Sequence, residues 1–491
     1  MCAAEGISGS ARPPDTRASL ESDSVAGDLV PAEAPMTTTH RQSGSVRRWA
    51  VVAVCTSSVF LIGVDATIVN VGLPAIGAGL GADARGLEWV LDAYTVALAC
   101  LLITAGVAAD RFGRRPVFQL GLVMFGTASL ACALAPSAAT LVSARAVQGA
   151  GASMLGPVAL AIIVDVLPDP RERARAIGVW ASVFGLSLAA GPVSGGVLLA
   201  FFGWRALFWV NLPVVVAVLV LSAAVVPDSR GRRRALDLPG QGLLTVVVGL
   251  SVFVLIEGPS AGWMSPAVLL SCLVIGSAAT GFVAAERRTA EPLIDPRLFG
   301  RPAFGTAVLG AAAVLLLLNA ALLLNTYYLQ RGRHWTPLAT GCAILPLALA
   351  AAACAPAAGI LVSRGRARTA LLIAATFITT SALSLVGLRD DTPVAALLGA
   401  YLLLGIGIGF ANAPITDRAV GGVPPERAGV VGAITATARH IGSAVGIAVI
   451  GGLVAGPGAD RLAAATRPGW LLVAACGAYL FVVAGTVRRE R

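Results

Sequence analysis

Asp65 sits in the run Phe60-Leu61-Ile62-Gly63-Val64-Asp65-Ala66-Thr67-Ile68-Val69-Asn70, and Arg145 in Leu141-Val142-Ser143-Ala144-Arg145-Ala146-Val147-Gln148-Gly149. Each is an ion in a stretch apolar enough to lie within lipid, where a charge needs a partner or a water-filled cavity. At about 1.5 Å of rise per residue, both fall about 10 Å below the same membrane surface, so they are expected to meet. Desolvation drives such a carboxyl towards its neutral form, and a nearby guanidinium drives it towards the ion. Moving Arg145 or water would then load or release a proton, which is proton coupling in outline; a static buried ion pair is the alternative. Asn70, Asp92, Tyr94, Gln148, Asn319, Asn325, Asn412, Arg439 and His440 are also polar residues on apolar stretches, and are candidates to line a substrate cavity. His440 has an imidazole that can titrate near physiological pH, or it simply donates a hydrogen bond between helices. The tenth apolar stretch has no carboxylate, and Arg439-His440 would repel a dication, which favours a neutral or anionic amphipathic substrate.

The elements that carry these residues are legible from composition. The 491 residues are 57% hydrophobic and 13% charged, with a mean hydropathy of +0.82. Soluble domains are about 45–50% apolar and about 25% charged. Apolar runs of about 20 residues, enough to cross about 30 Å of hydrocarbon, recur from 49–72 to 469–487 and predict fourteen spans, the fifth over 174–201. Each must be helical, because a spanning segment satisfies its own backbone. Residues 1–45, rich in Ser, Pro, Asp, Glu and Thr and without an apolar core, are expected to form a disordered cytoplasmic tail, with Met36 as a possible alternative start.

The formal charge of +10 comes from 36 basic residues, all of them Arg, grouped in short clusters between apolar runs. That placement is a topology signal and argues against a nucleic-acid partner. Arg47, Arg48, Arg111, Arg114, Arg115, the Arg171–Arg175 group, Arg230–Arg234 and the Arg364–Arg368 group fall on one side. Arg85, Arg205, Arg331, Arg333, Arg389, Arg461 and Arg467 fall on the other. The bias predicts a cell-membrane protein with both termini cytoplasmic. Without Lys there is no Walker A loop, and HExxH does not occur, so an enzyme is not expected. The eight cysteines show no close pairing and are expected to be small core residues; no metal or other cofactor is implied. Pro157, Glu172-Arg173-Ala174, Gly191 and Gly195-Gly196 are echoed by Pro414, Glu426-Arg427-Ala428, Gly446 and Gly451-Gly452. Internal repeats of this kind are a transporter signature, with the substrate site at their interface.

Two glycine-rich motifs give the repeat a family. The loop after the second span reads Gly106-Val107-Ala108-Ala109-Asp110-Arg111-Phe112-Gly113-Arg114-Arg115, with a degenerate echo at Gly359–Arg366. It resembles the signature loop of the major facilitator superfamily. The fifth span contains Gly185 and Gly191-Pro192-Val193-Ser194-Gly195-Gly196, similar to the motif that separates antiporters from symporters in that superfamily. Trp204–Pro213, Asp237–Gly240, Pro292–Asp295 and Tyr327–Gln330 resemble its fourteen-span branch of drug:proton antiporters. The resemblance implies an all-α major facilitator fold: an N-terminal six-helix bundle over 46–226, a linker with two extra transmembrane helices over 227–301, and a C-terminal six-helix bundle over 302–487. It implies that Gly106, Asp110, Arg111, Gly113 and Arg114 form a cytoplasmic gate latch holding the outward-facing state, and that Asp65 and Arg145 carry proton coupling. The expected function is a monomeric proton-driven exporter of a small drug-like compound or endogenous antibiotic, energised by the proton gradient; an uptake symporter on the same fold is the alternative.

Overall fold

The computed structural model describes residues 38–231, 237–289, 292, 294, 296–389, 391–421, 428–454 and 462–487. The tail expected over 1–45 falls almost entirely outside them, as do Arg232–Arg234, Asp295, the Glu426-Arg427 loop and Arg461. The described chain is helical, with no strand among the described residues. The first half comprises α1 (Thr38–Leu80), α2 (Ala84–Phe112), α3 (Arg114–Ala133), α4 (Ala138–Ser153), α5 (Gly156–Val166), α6 (Pro170–Phe202), α7 (Ala206–Trp209) and α8 (Asn211–Val225). Two further helices, α9 (Leu238–Ala261) and α10 (Pro266–Arg288), precede the second half. That half comprises α11 (Pro302–Thr326), α12 (Pro337–Ala343), α13 (Leu345–Ser363), α14 (Ala367–Val386), α15 (Val394–Val420), α16 (Ala428–Val454), α17 (Leu462–Ala465) and α18 (Arg467–Gly485). Residues 46–491 form one compact unit.

Among the described residues, thirteen helices are long and apolar enough to cross a membrane. The fifth expected span lies in α6, a continuous 33-residue helix of which Ala190–Phe202 is the apolar stretch whose residues are all described. Prolines break several spans where lost backbone N–H groups and ring clashes interrupt the ladder. Thus α4 and α5 part before Pro157, and α12 and α13 before Pro346; without a proline, α11 runs on into a π-helical turn at Tyr327–Gly332. Side-chain caps satisfy the free amides at helix starts: Asp83 accepts from the Gly86 amide at 2.9 Å, and Thr336 from the Ala339 amide at 3.2 Å.

α9 packs against both α2 and α16, and α10 packs on α9, where its surface is largely exposed. Leu270, Leu273 and Met264 stand out from this pair, as lipid-facing side chains do. The two halves meet at the arginine-poor end. Gln330 Nε2 there donates to the Val71 carbonyl at 3.0 Å. A Cβ on Gly196 would lie 2.7 Å from Leu338 Cα, one on Gly341 would overlap the Pro192 backbone, and one on Gly451 would overlap the Glu88 side chain. Glycine is required for backbones to approach so closely.

Candidate functional site

Asp65 and Arg145 meet, as their depths predicted. Arg145 Nη1 donates to Asp65 Oδ2 at 2.6 Å, with the two side chains 0% and 1% exposed. The same nitrogen donates to Gln148 Oε1 at 2.7 Å, and Arg145 Nε donates to the Val90 carbonyl at 3.1 Å. Asp65 Oδ1 accepts from Gln148 Nε2 and from Asn211 Nδ2, both at 2.9 Å. Both amides also donate to Ser129 Oγ at 2.9 Å, and the guanidinium lies 4.2 Å from the centre of the Tyr94 ring. At these exposures the pair is closed off from the cavity the sequence suggested, and all the bonds just named are to protein groups. A buried ion pair of this kind holds only because its remaining hydrogen bonds are satisfied.

Glycines explain how α4 delivers its guanidinium. A Cβ on Gly149 would lie 2.9 Å from Tyr94 Cα, and one on Gly151 would lie 2.7 Å from the Phe125 amide nitrogen. α4 can therefore wedge between α2 and α3 until Arg145 reaches Val90. Asn211 and Ser129 are the members that sequence reasoning missed. Asn211 had a signal, a polar residue between Trp209 and Pro213 in an apolar run; Ser129 had none.

The fifth-span motif packs directly beside Asp65. A Cβ on Gly191 would lie 3.0 Å from the Val64 carbonyl, and one on Gly195 would lie 3.0 Å from the Ile68 carbonyl. Pro192 and Gly196 face α12 instead, so α6 is clamped between the Asp65 helix and the second half. Gly185 lies in the same helix, nearer its start.

The residues expected to line a cavity divide. Tyr94, Asn319 and His440 do line a cavity of ≈ 40 Å³ between the halves, together with Thr67, Thr95 and Ser443. Gln148 belongs to the ion-pair network. Asp92 and Asn325 are buried, with both terminal atoms of each unpartnered, and Asn70 donates to the Ala66 carbonyl at 3.4 Å. Arg439 donates to Thr416 Oγ1 on α15 at 2.9 Å. Asn412 is exposed on α15 and is not among the residues lining this cavity; α15 packs on α11, α13 and α14.

At the arginine-rich end, Gly113 takes a φ of 111° between α2 and α3, a conformation that favours glycine. Asp110 Oδ1 accepts from Arg114 Nε at 3.2 Å and Nη2 at 3.1 Å. Arg114 also pairs with Asp165, donates to the Ala161 carbonyl at 3.2 Å, and through its amide to the Ser229 carbonyl at 2.8 Å. Arg111 projects over Phe112, and no atom lies close to the Cβ position of Gly106. Among the described residues, the bonds of Asp110 and Arg114 thus tie elements of the first half to one another. Asp165 was not anticipated, because it falls at the edge of a predicted span.

The sequence matches the Major Facilitator Superfamily over residues 55–447. The chain belongs to that superfamily. It is therefore a membrane transporter and not an enzyme. It is 38% identical over 401 residues to the multidrug resistance protein Stp of Mycobacterium tuberculosis, covering 81% of this chain and 74% of that protein. It is 35% identical to the methylenomycin A resistance protein of Streptomyces coelicolor, over 79% of this chain and 82% of the relative. The methyl viologen resistance protein SmvA of Salmonella typhimurium is 32% identical, with 82% of each covered. Among solved structures, a bacterial homologue of the human lysosomal transporter Spinster superposes with a TM-score of 0.63 at 18% identity, covering 90% of this chain and 98% of that one.

Proposed function

We propose that this superfamily member is a proton-coupled antiporter that expels a small amphipathic molecule, a drug or an endogenous antibiotic, from the cell. Relatives named for resistance to methylenomycin A, puromycin and methyl viologen support export as the direction. The observation that carries the mechanism is the buried Asp65–Arg145 pair with the antiporter-like glycines packed beside it, Gly191 on Val64 and Thr67 and Gly195 on Ile68. Protonating Asp65 removes the charge that holds Arg145 and weakens the bonds it accepts from Gln148 and Asn211. The α1 turn carrying Asp65 is then free to shift against Gly191 and Gly195, and α6 passes the movement to α12 through Pro192 and Gly196. Proton loading is thereby linked to the contact that closes the arginine-poor end. The arginine bias makes that end the outer one and both termini cytoplasmic. The protein belongs, in this reading, to the fourteen-span branch, works as a monomer in the cell membrane, and needs no cofactor beyond the proton gradient. Its cavity favours a neutral or anionic substrate, because His440 faces it and no carboxylate lines it.

Inverted membrane vesicles with an internal pH indicator test this. Candidate compounds should release protons from wild-type vesicles, Asp65→Asn should abolish release with the protein still inserted, and Arg145→Lys should retain more than Arg145→Ala. Arg145→Ala strands a buried carboxylate, at about 3–5 kcal/mol, so its level in the membrane is measured alongside. Wild-type proton release by Asp65→Asn would remove Asp65 from the mechanism.

A further inference from the structure

A second acidic pair lies outside this network. Glu88 and Asp92 are four residues apart on α2, hence on one face, and Thr95, on that same face, lines the cavity between the halves. Glu88 is 3% exposed and Asp92 0%. Neither oxygen of Asp92 has a partner, nor has Oε2 of Glu88. What covers Glu88 is Gly451 of α16, whose absent Cβ leaves the space the carboxyl fills. The seam between the halves therefore closes directly over an acid.

The charges around it do not compensate it. Arg85, one turn nearer the surface, is engaged by Asp83 at 3.2 Å and by Glu257 of α9 at 3.1 Å. Both of those carboxylates also bear on Glu88, each more strongly than Arg85, which opposes them. Tyr327 faces Glu88 from the end of α11, and Arg331 beyond it stacks 5.4 Å from that ring. The outer part of α16, from Gly446 to Val454, contains no titratable residue. Burying a carboxylate without a paired cation is far more costly than burying the neutral acid.

We propose that Glu88, with Asp92 one turn deeper, is a proton-operated lock on the α2–α16 seam. The seam closes over the protonated acids; loss of their protons inward leaves carboxylates, and the seam then opens so that external water hydrates them. Each closure then takes protons from the outer solution, in the direction an exporter needs, and the face running through Asp92 to Thr95 leads them to the inter-half cavity. The lock extends the antiport reading, and its assay needs no substrate, so its failure would leave the Asp65 experiment untouched.

Ala448 of α16 is fully buried and packs in the same seam against Val252 and Ile256 of α9. An Ala448→Cys probe in a chain whose Cys272, Cys342 and Cys354 are replaced by Ser can be labelled on whole cells with a membrane-impermeant maleimide. Rates are taken from about pH 5.5 to about pH 8, a range that spans ionisation of a buried carboxyl, and normalised to a soluble thiol. With Glu88 present, labelling should rise with pH, by up to about tenfold per unit for one linked proton. Glu88→Asp should keep a rise; Glu88→Gln, and Glu88→Gln with Asp92→Asn, should stay slow and flat. A wild-type pH profile in Glu88→Gln, fast labelling of it at every pH, or a flat profile in Glu88→Asp each overturns the proposal.

Discussion

Two seams join the halves at the arginine-poor end, and each is made by one glycine pair of the internal repeat. Gly195-Gly196 serves α6, with Gly191 against the Val64 carbonyl of α1; Gly451-Gly452 serves α16, with Gly446 2.7 Å, at its absent Cβ, from the Leu316 carbonyl of α11. The glycines therefore do the same work in both halves, seating a long helix against the first helix of its own bundle. They differ in what they meet across the divide. Gly196 meets the backbone of Pro337 and Leu338, whereas Gly451 meets the carboxyl end of Glu88, and Gly452 meets Pro259 of α9. One seam is a dry backbone contact that can only be open or shut. The other holds an ionisable group whose charge decides which. A duplicated scaffold has thus kept its packing and diverged in its chemistry, as it has at Asp65, which no acid on α11 repeats.

The largest effect expected from this contrast is at the dry seam. In Gly196→Leu the new side chain would strike backbone that cannot move aside, an overpacking cost of about 1–3 kcal/mol or more. Efflux should be lost at every pH, and efflux close to wild type would break the distinction between the seams. Gly451→Ala is milder, since its Cβ displaces only the flexible end of Glu88. At about 1 kcal/mol, efflux should fall about fivefold. Adding Glu88→Ala should restore the fit, read as thermal stability in detergent because that variant also lacks the acid of the lock, and a double-mutant cycle in stability that finds the two changes additive would deny their contact. The smallest effect separates the caps that start α2 and α12. Asp83→Ala and Thr336→Ala should each cost about 1 kcal/mol in thermal unfolding in detergent at neutral pH. The Gly86 amide holds the Asp83 carboxyl below its ordinary 3.8; desolvation, next in size, opposes it, and Arg85 lowers it further. Its contribution is therefore present above that value and fades as pH falls through and below it, while the Thr336 contribution persists.

The sequence was most informative where one residue breaks the character of its surroundings. Asp65 and Arg145 are ions in apolar runs, Gly113 and Pro157 interrupt helices, and the repeated glycines mark close approach; all of these are local signals. Asn412 shows where such a signal stops, because a polar residue on an apolar helix carries no mark of which neighbour its face meets. Ser129 was passed over, because its hydroxyl looks like any other small side chain until Gln148 and Asn211 both turn to it. Glu88 was passed over for a related reason. It stands close to Asp83, Arg85 and the end of a predicted span, so from the sequence alone it looks like part of a solvated rim.

By itself, the chain order determined the helices, the family and the two charges that must find each other within the membrane, because hydropathy and periodicity act along one segment at a time. Only the tertiary structure decided that Asp65 is held by three donors from α4 and α8, two of them braced by Ser129 of α3, and that Oε2 of Glu88 is left without a partner. Helix periodicity says which residues share a face. Which faces meet depends on how closely two backbones can pack, and that is settled across the bundle, where a missing Cβ at Gly149, Gly196 or Gly451 sets the distance.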